Sequence, residues 1–433
     1  MMNILHINTL SHSGGAAKAM QRLHDELLVQ NHQSEIIAGL NNQPGEPHNH
    51  CMSDVISPYQ TSLGLFQSRL GSSIEDFLGL HPWTNRPTLD LPKTKLYKWA
   101  DIIDLRNLHG RYFNLFVLPE LSKGKPVVWR LPDLWALTGY CAYPYDCLKW
   151  KDGCHNCPLL KGEGRLLVEP KPPPRCDGTR RVWRMKREIY QKSKLHIVVT
   201  TDWMRKQVNQ GILNDALSVN VISNGVDLDI YRPVEKQEAR NQLGLPPNET
   251  ILLWGAAGMG LMRKGYSYAA QAVERIQTSM EKKPMLITMG NPKKMDLKYP
   301  LEKSKHFGYI KDPANQALLY AAADVFICST LADGQPQTAI ESLACGTPVI
   351  AFNIGPMPEL VQDGKTGFIA PEVSVESLVT TLKRALKDPD HLVKMRRYCR
   401  DEAENKYDLT KQTIKYIELY KKIMTEKTGT IYG

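Results

Sequence analysis

The chain is predicted to be α/β, with two Rossmann-like domains in tandem, on three observations. Apolar strand-like runs alternate with helical patterns along most of its length, and such alternation implies parallel sheets covered by helices on both faces. At 433 residues the chain exceeds what one ordinary core holds, so two domains are the default. The apolar runs also fall into two sets, with a break near residue 216.

The first set places strands at 3–8, 35–39, 102–105, 126–131 and 196–200. The second places them at 251–255, 285–289, 325–328 and 348–352, with helices at 16–28, 265–277 and 314–323 between strands. Domains are therefore expected at 1–216 and 217–408, with an insertion at about 132–180 and a last helix from 409 to the end. In sheets of this kind ligands bind at the carboxyl ends of the strands.

Composition narrows the function classes. With 42% hydrophobic and 23% charged residues the chain reads as globular, and no apolar run is long enough to span a bilayer. The opening MMNILHINTL lacks a basic region followed by a long apolar stretch, so it reads as a first buried strand and not a signal peptide. A cytoplasmic chain, or one on the cytosolic face of a membrane, is expected. The net charge of +10 suits anionic partners such as nucleotide diphosphates or lipid headgroups. No nucleic-acid module is legible, and no nucleic-acid partner is expected.

The stretch from Ala332 to Phe368 carries the most chemistry: ADGQPQTAIESLACGTPVIAFNIGPMPELVQDGKTGF. Asp333 and Glu341 are separated by seven residues, and Gly334, Gln335, Pro336 and Gln337 form a loop that enters a helix. A helix start exposes unpaired N–H groups and can hold an anion. A carboxylate one or two turns in can accept hydrogen bonds from sugar or ribose hydroxyls. Together these suit a nucleotide sugar. This segment closely resembles the donor-site signature of retaining glycosyltransferases of family 4, which have the GT-B architecture of two Rossmann-like domains facing a central cleft.

The resemblance extends over most of the chain. VNVISNGVDLDIYRP, from Val219, is similar to the family's opening of its second domain, with Ser223 where proline is frequent. The final helix, in this architecture, crosses back onto the first domain. Gly14 and Gly15 match a glycine pair that faces the donor diphosphate, and glycine lets backbone approach a ligand. Lys264 matches the lysine that neutralises the donor phosphates, which is electrostatic help to a leaving group. Where the family has arginine after the glycine ending that strand, this chain has Ala256, and Arg263 offers a replacement fork of donors.

The run from Asp101 to Cys147 resembles a branch that acts in exopolysaccharide and lipopolysaccharide assembly. Its members read His-Asp-Leu/Met-Trp where this chain has Pro132-Asp133-Leu134-Trp135. Proline can neither donate a hydrogen bond nor carry charge as that histidine does. Three accounts stay open: His109 supplies the imidazole, transfer proceeds without it, or the protein binds without catalysing. Asp133 either orients an acceptor or caps the following turn.

Cys141, Cys147, Cys154 and Cys157 fall within seventeen residues and close on a Cys-His-Asn-Cys pair. Four thiolates suit tetrahedral zinc in a closed structural site, and paired disulfides or free thiols are the alternatives. After them Arg180 to Arg187 interleaves basic residues with Trp183 and Met185. That pattern fits a peripheral membrane contact, or a solvated helix face with Trp183 turned inward.

The resemblance implies an enzyme: a retaining, hexosyltransferase-type glycosyltransferase, with a nucleotide-sugar donor, a glycan or lipid-linked acceptor and no metal cofactor for catalysis. Asp333, Glu341, Lys264 and His109 are its candidate catalytic residues. Alternatives are a nucleotide-sugar epimerase or phosphorylase of the same architecture, or a catalytically impaired binding protein.

Overall fold

The computed structural model describes the whole chain except residues 13, 41–44, 57–85, 111, 162–175, 293–300 and 430–433. Ser13 and the proline-rich 171–174 lie outside the described residues. The chain forms two compact units, one running to Ser223 and resuming at Gln412, the other spanning Asn224–Lys411.

The first unit holds seven parallel strands: β1 Asn3–Leu10, β2 Gln33–Leu40, β3 Asn49–Cys51, β4 Ile102–Leu105, β5 Val127–Arg130, β6 Leu195–Val199 and β7 Ser218–Val221. Their order is β3-β2-β1-β4-β5-β6-β7, so the winding reverses between β1 and β4. Side chains alternate across a strand. Leu5 and Ile7 enter the core on one face, and Ile4 packs with Leu23 and Leu27 on the other. The latter two belong to α1 (Gly15–Val29), the helix expected at 16–28.

The division at Ser223 lies downstream of the break expected near 216. The reason is β7, which pairs in register with β6 and so completes the first sheet. Two short edge strands, β3 here and Ser304–His306 in the second unit, carry polar triplets (Asn-His-Cys and Ser-Lys-His) that have no apolar pattern to read.

The second unit holds β8 Ile251–Gly258, β9 Met285–Asn291, β10 Ser304–His306, β11 Val325–Cys328, β12 Val349–Phe352 and β13 Gly367–Ala370. All pair in parallel in the order β10-β9-β8-β11-β12-β13, and the winding reverses between β8 and β11. Leu252 and Trp254 face one core, Ile251 and Leu253 the other. The first core is covered by helix Tyr266–Ser279 (α2) and the second by Pro313–Ala322 (α3) and Gln337–Ala344 (α4).

The last helix, Leu409–Gly429 (α5), packs onto the first unit through Tyr416, Ile417, Tyr420 and Ile423. A buried polar network secures it. Tyr420 donates to Asp104 at 2.7 Å, Arg106 donates to Tyr416 at 3.3 Å, and Arg106 pairs with Asp104. Burial opposes ionisation of Asp104, but Arg106 and His6 outweigh it and hold the carboxyl at about 2.

Candidate functional site

In the second unit the site grows from the ends of β8 and β11, where the winding reverses. A short turn, Met262–Lys264, follows β8, and Gly265 closes it in the left-handed region at φ 70. Only glycine fits there, because a Cβ would stand 1.9 Å from the Ser329 carbonyl oxygen. That closeness staples the turn to the chain leaving β11. Ser329 donates to the Gly265 carbonyl at 2.7 Å, Thr330 Oγ1 to the Arg263 carbonyl at 3.1 Å, and the Leu331 N–H to the same oxygen at 2.7 Å. From the strand side Trp254 Nε1 donates to Ser329 Oγ at 3.0 Å.

The staple brings two expected site residues together. Lys264 Nζ lies 2.6 Å from Asp333 Oδ2, and Arg263 Nη1 lies 3.5 Å from the same oxygen. Burial works against the Asp333 carboxylate, but Lys264 and Arg263 together hold its pKa below the usual carboxylate range. The other Asp333 oxygen accepts the Gln335 N–H at 3.3 Å, which shapes the loop into α4. Pro336 stands at the N-cap of that helix and makes no side-chain cap hydrogen bond. A small recess opens here, walled by Gly255, Lys264, Ser329, Thr330, Pro336 and Thr338.

The remaining expected residues take other places. Glu341 lies inside α4 and is buried, and Tyr320 donates to it at 3.3 Å. It does not wall the recess. Gln335 is buried too, and its Oε1 accepts the Asn224 N–H at 2.7 Å. Ala256, where arginine was looked for, is buried within β8, which runs on to Gly258 instead of ending at 255. The residues that sequence reasoning passed over are Ser329, Thr330 and Asn224. The signal for the first two was present: hydroxyls immediately after an apolar strand sit at the carboxyl edge of a parallel sheet.

In the first unit the corresponding edge carries His109. Its Nε2 lies 3.0 Å from Asp133 Oδ2, while Asp133 Oδ1 accepts the Trp135 N–H at 2.9 Å. Asp133 thus caps its own turn and orients the imidazole at once. The His109 backbone is fixed in turn: Thr9 Oγ1 donates to its carbonyl at 2.6 Å, and its N–H donates to Asn107 at 3.1 Å. The imidazole is partly open to solvent and Asp133 is nearly closed off. Gly14 stands at the N-cap of α1 at φ 87, and a Cβ at Gly14 or Gly15 would meet nothing within 4 Å, so the backbone there borders open space.

The basic run belongs to helix Thr179–Gln191. Trp183 is buried and donates to the Trp150 carbonyl at 2.7 Å, whereas Arg180, Arg181, Arg184 and Arg187 are exposed. The inward-packed reading of Trp183 therefore holds, and no indole is offered to a surface. Among the described residues no helix is long and apolar enough to cross a membrane.

Residues 235–406 match the family model for glycosyl transferases group 1. The match lies within the second unit, and it contains Lys264, Asp333 and Glu341. D-inositol 3-phosphate glycosyltransferase of Gordonia bronchialis is 32% identical over 203 residues, 44% of this chain and 44% of that protein. The protein of that name from Mycobacterium tuberculosis strain F11 is 28% identical over 300 residues, 66% of this chain and 57% of the relative. The chain spans about half the length of the curated relatives it matches.

Solved structures extend the likeness to the whole chain at the level of fold. Sucrose-phosphate synthase from Thermosynechococcus elongatus superposes with a TM-score of 0.68 at 17% identity, covering 98% of this chain and 100% of that one. Anabaena HepE in complex with UDP gives 0.64 at 15% identity, covering 97% and 100%. WaaG, a glycosyltransferase involved in lipopolysaccharide biosynthesis, gives 0.62 at 15%, covering 96% and 99%. The two Rossmann-like domains are those of GT-B glycosyltransferase structures.

Proposed function

We propose that the protein transfers a sugar from a nucleotide-diphosphate donor to a glycan or lipid-linked acceptor, with retention at the anomeric carbon. One observation carries this reading: a lysine and an arginine held at the winding reversal of the second sheet, beside a recess and a helix start. Such a place suits a diphosphate, because fixed cations and the dipole of a helix start stabilise the charge that grows on a leaving group. The group 1 match over the same residues supports it, as does the likeness of the fold to HepE, whose structures hold UDP and UDP-glucose.

In this reading Lys264 and Arg263 neutralise the diphosphate and Asp333 aims Lys264. Gly334 to Gln337 present the helix start, and Glu341 takes hydroxyls of the donor from a rigid, buried base. His109, oriented by Asp133, serves the transferred sugar in place of the histidine replaced by Pro132. No metal is required for transfer, since the cations are side chains. Cell-surface polysaccharide assembly on the cytosolic side is the setting that the resemblance suggests. The exposed arginines of 180–187 provide a surface for an anionic acceptor.

A second reading rests on Ala256 and Pro132, which remove two charged or polar groups from the expected set: the protein binds nucleotide sugars without transferring. A thermal-shift screen against common nucleotide sugars separates the two when followed by a transfer assay with the best donor. A raised melting point with transfer supports the enzyme, and a raised melting point without transfer or hydrolysis supports the binder. No shift with any nucleotide sugar refutes both.

A further inference from the structure

The cysteines of the insertion, Cys141, Cys147, Cys154 and Cys157, are free thiols, and among the described residues no three His, Cys, Asp or Glu side chains stand together to hold a metal ion. What the insertion does build is a hydrogen-bonded brace on the turn beside His109. Residues 135–138 are buried, so their carbonyls need partners within the protein. Three of them find one on a single helix. Lys186 Nζ donates to the Trp135 carbonyl at 2.6 Å and to the Thr138 carbonyl at 2.9 Å, and the Tyr190 hydroxyl donates to the Ala136 carbonyl at 3.1 Å. Lys186 and Tyr190 lie one turn apart on helix Thr179–Gln191, so they share a face. Gly139 lets the chain press onto the start of that helix, since a Cβ there would stand 2.2 Å from the Thr179 carbonyl oxygen.

Lys186 is almost wholly buried. The partners of its Nζ are the two carbonyls and the Trp135 ring, whose centre is 3.6 Å away, with no carboxylate among them. An ammonium buried in this way is costly, and burial pulls the Lys186 pKa down to about 7. Protonated or neutral, the amine keeps at least two N–H donors for the two carbonyls. The cost falls at the turn that holds the Asp133–His109 pair.

Two paths lead from Lys186 to His109. The Trp135 N–H donates to Asp133 Oδ1 at 2.9 Å, and Asp133 Oδ2 lies 3.0 Å from His109 Nε2. The Trp135 ring also lies 5.8 Å from the His109 ring, centre to centre. An ionised carboxylate only accepts, so Nε2 carries a proton and Nδ1 is the nitrogen left for a substrate.

On the reading of His109 given above, we propose that Lys186 is a positioning residue for transfer. It pins the 135–138 turn and so sets the Asp133 carboxylate and the His109 ring, with Nδ1 left to meet a substrate hydroxyl. Lys186 itself touches no reacting atom. Its removal leaves two buried carbonyls unpartnered and lets the turn shift. Hydrogen bonds weaken steeply with angle and distance, so a small shift at Trp135 is enough to loosen the pair.

The full chain serves for every measurement. Lys186→Met, checked for native circular dichroism, is expected to lower kcat by about fivefold with donor KM unchanged, the worth of one hydrogen bond. In a His109→Ala background the same substitution is expected to cost nothing further, because its effect runs through the imidazole. A merely structural lysine would slow both backgrounds alike. A second readout needs no substrate. The Nε2 proton of His109, assigned by its loss in His109→Ala and observed by NMR of protein carrying isotope-labelled histidine, is expected in wild type and weakened in Lys186→Met through exchange with water. If Lys186→Met does not fold, Tyr190→Phe takes its place, removing only the hydroxyl on the Ala136 carbonyl, with the same outcomes at smaller size. Unchanged kcat, or an equal loss in both backgrounds, overturns the proposal. So does an Nε2 proton resonance of unchanged intensity in the variant, or its absence from wild type. Failure of the chain to transfer any sugar refutes the enzyme reading alone, since the resonance still decides whether Lys186 sets the ring.

Discussion

The winding-reversal edges of the two sheets use opposite strategies. In the second unit the polar groups come from two short stretches, 262–265 and 329–337, and the assembly is cationic: Lys264 and Arg263 converge on one Asp333 oxygen. In the first unit the groups come from Thr9, Asn107, His109, Asp133 and Trp135, spread over more than a hundred residues. Its centre is a single imidazole and carboxylate, partly open to solvent. A phosphate site can be built locally, because a turn and a helix start already present cations and N–H groups. An oriented imidazole needs partners on several strands, and it depends more heavily on the fold around it.

That contrast is most directly broken at Lys264. If the second edge grips a diphosphate, Lys264→Ala is expected to lower transfer by about 100- to 1,000-fold while leaving the melting temperature within a few degrees. Steady-state rates with saturating donor check it, and full turnover would remove Lys264 from the site.

The next largest effect is expected at Gly265. Alanine there meets the Ser329 carbonyl and is strained at positive φ, so the staple opens and stability falls by about 1–3 kcal/mol. Urea unfolding measures this, and donor affinity should fall with it. A neutral result would show that the turn can hold Lys264 without touching Ser329.

For the first edge, His109→Ala is expected to cost about tenfold in kcat with little change in donor affinity. A single side-chain hydrogen bond is worth roughly 1–2 kcal/mol. Asp133→Asn should lie between wild type and that variant. Equal loss in kcat and donor affinity would instead place His109 in donor binding and blur the contrast between the edges.

The smallest effect is in pH dependence. The Asp333 carboxyl titrates lower in the folded chain than in the unfolded one. Its contribution to stability is therefore complete above the unfolded value near ~4 and is lost as pH falls through the depressed folded value. Melting temperature should drop more steeply below that range in wild type than in Asp333→Asn. Parallel curves would mean that the pair with Lys264 adds nothing to stability.

Legibility followed locality in the fold as well. β4 and β11 were readable to the residue, since each is an unbroken apolar run buried on both faces. The edge strands β3 and β10 and the last pairing of β7 were not, because what makes them strands is a neighbour's hydrogen-bonding edge and not their own side chains. At the site, the nearness of Lys264 and Asp333 followed from motif resemblance. Which of them the other would engage did not, nor did the turning of Gln335 toward Asn224.

By itself the sequence determined the α/β class, the two-domain plan, the basic turn before α2 and the acidic pair around α4, since periodicity and turn chemistry act over a few residues. Only the tertiary structure decided that Asp333 pairs with Lys264, that Glu341 is buried against Tyr320, that Asp133 holds His109 and that Lys186 donates to the Trp135 carbonyl. Those are contacts between segments about 20 to 70 residues apart. Their geometry is set by how strands order themselves in a sheet, which no local pattern encodes.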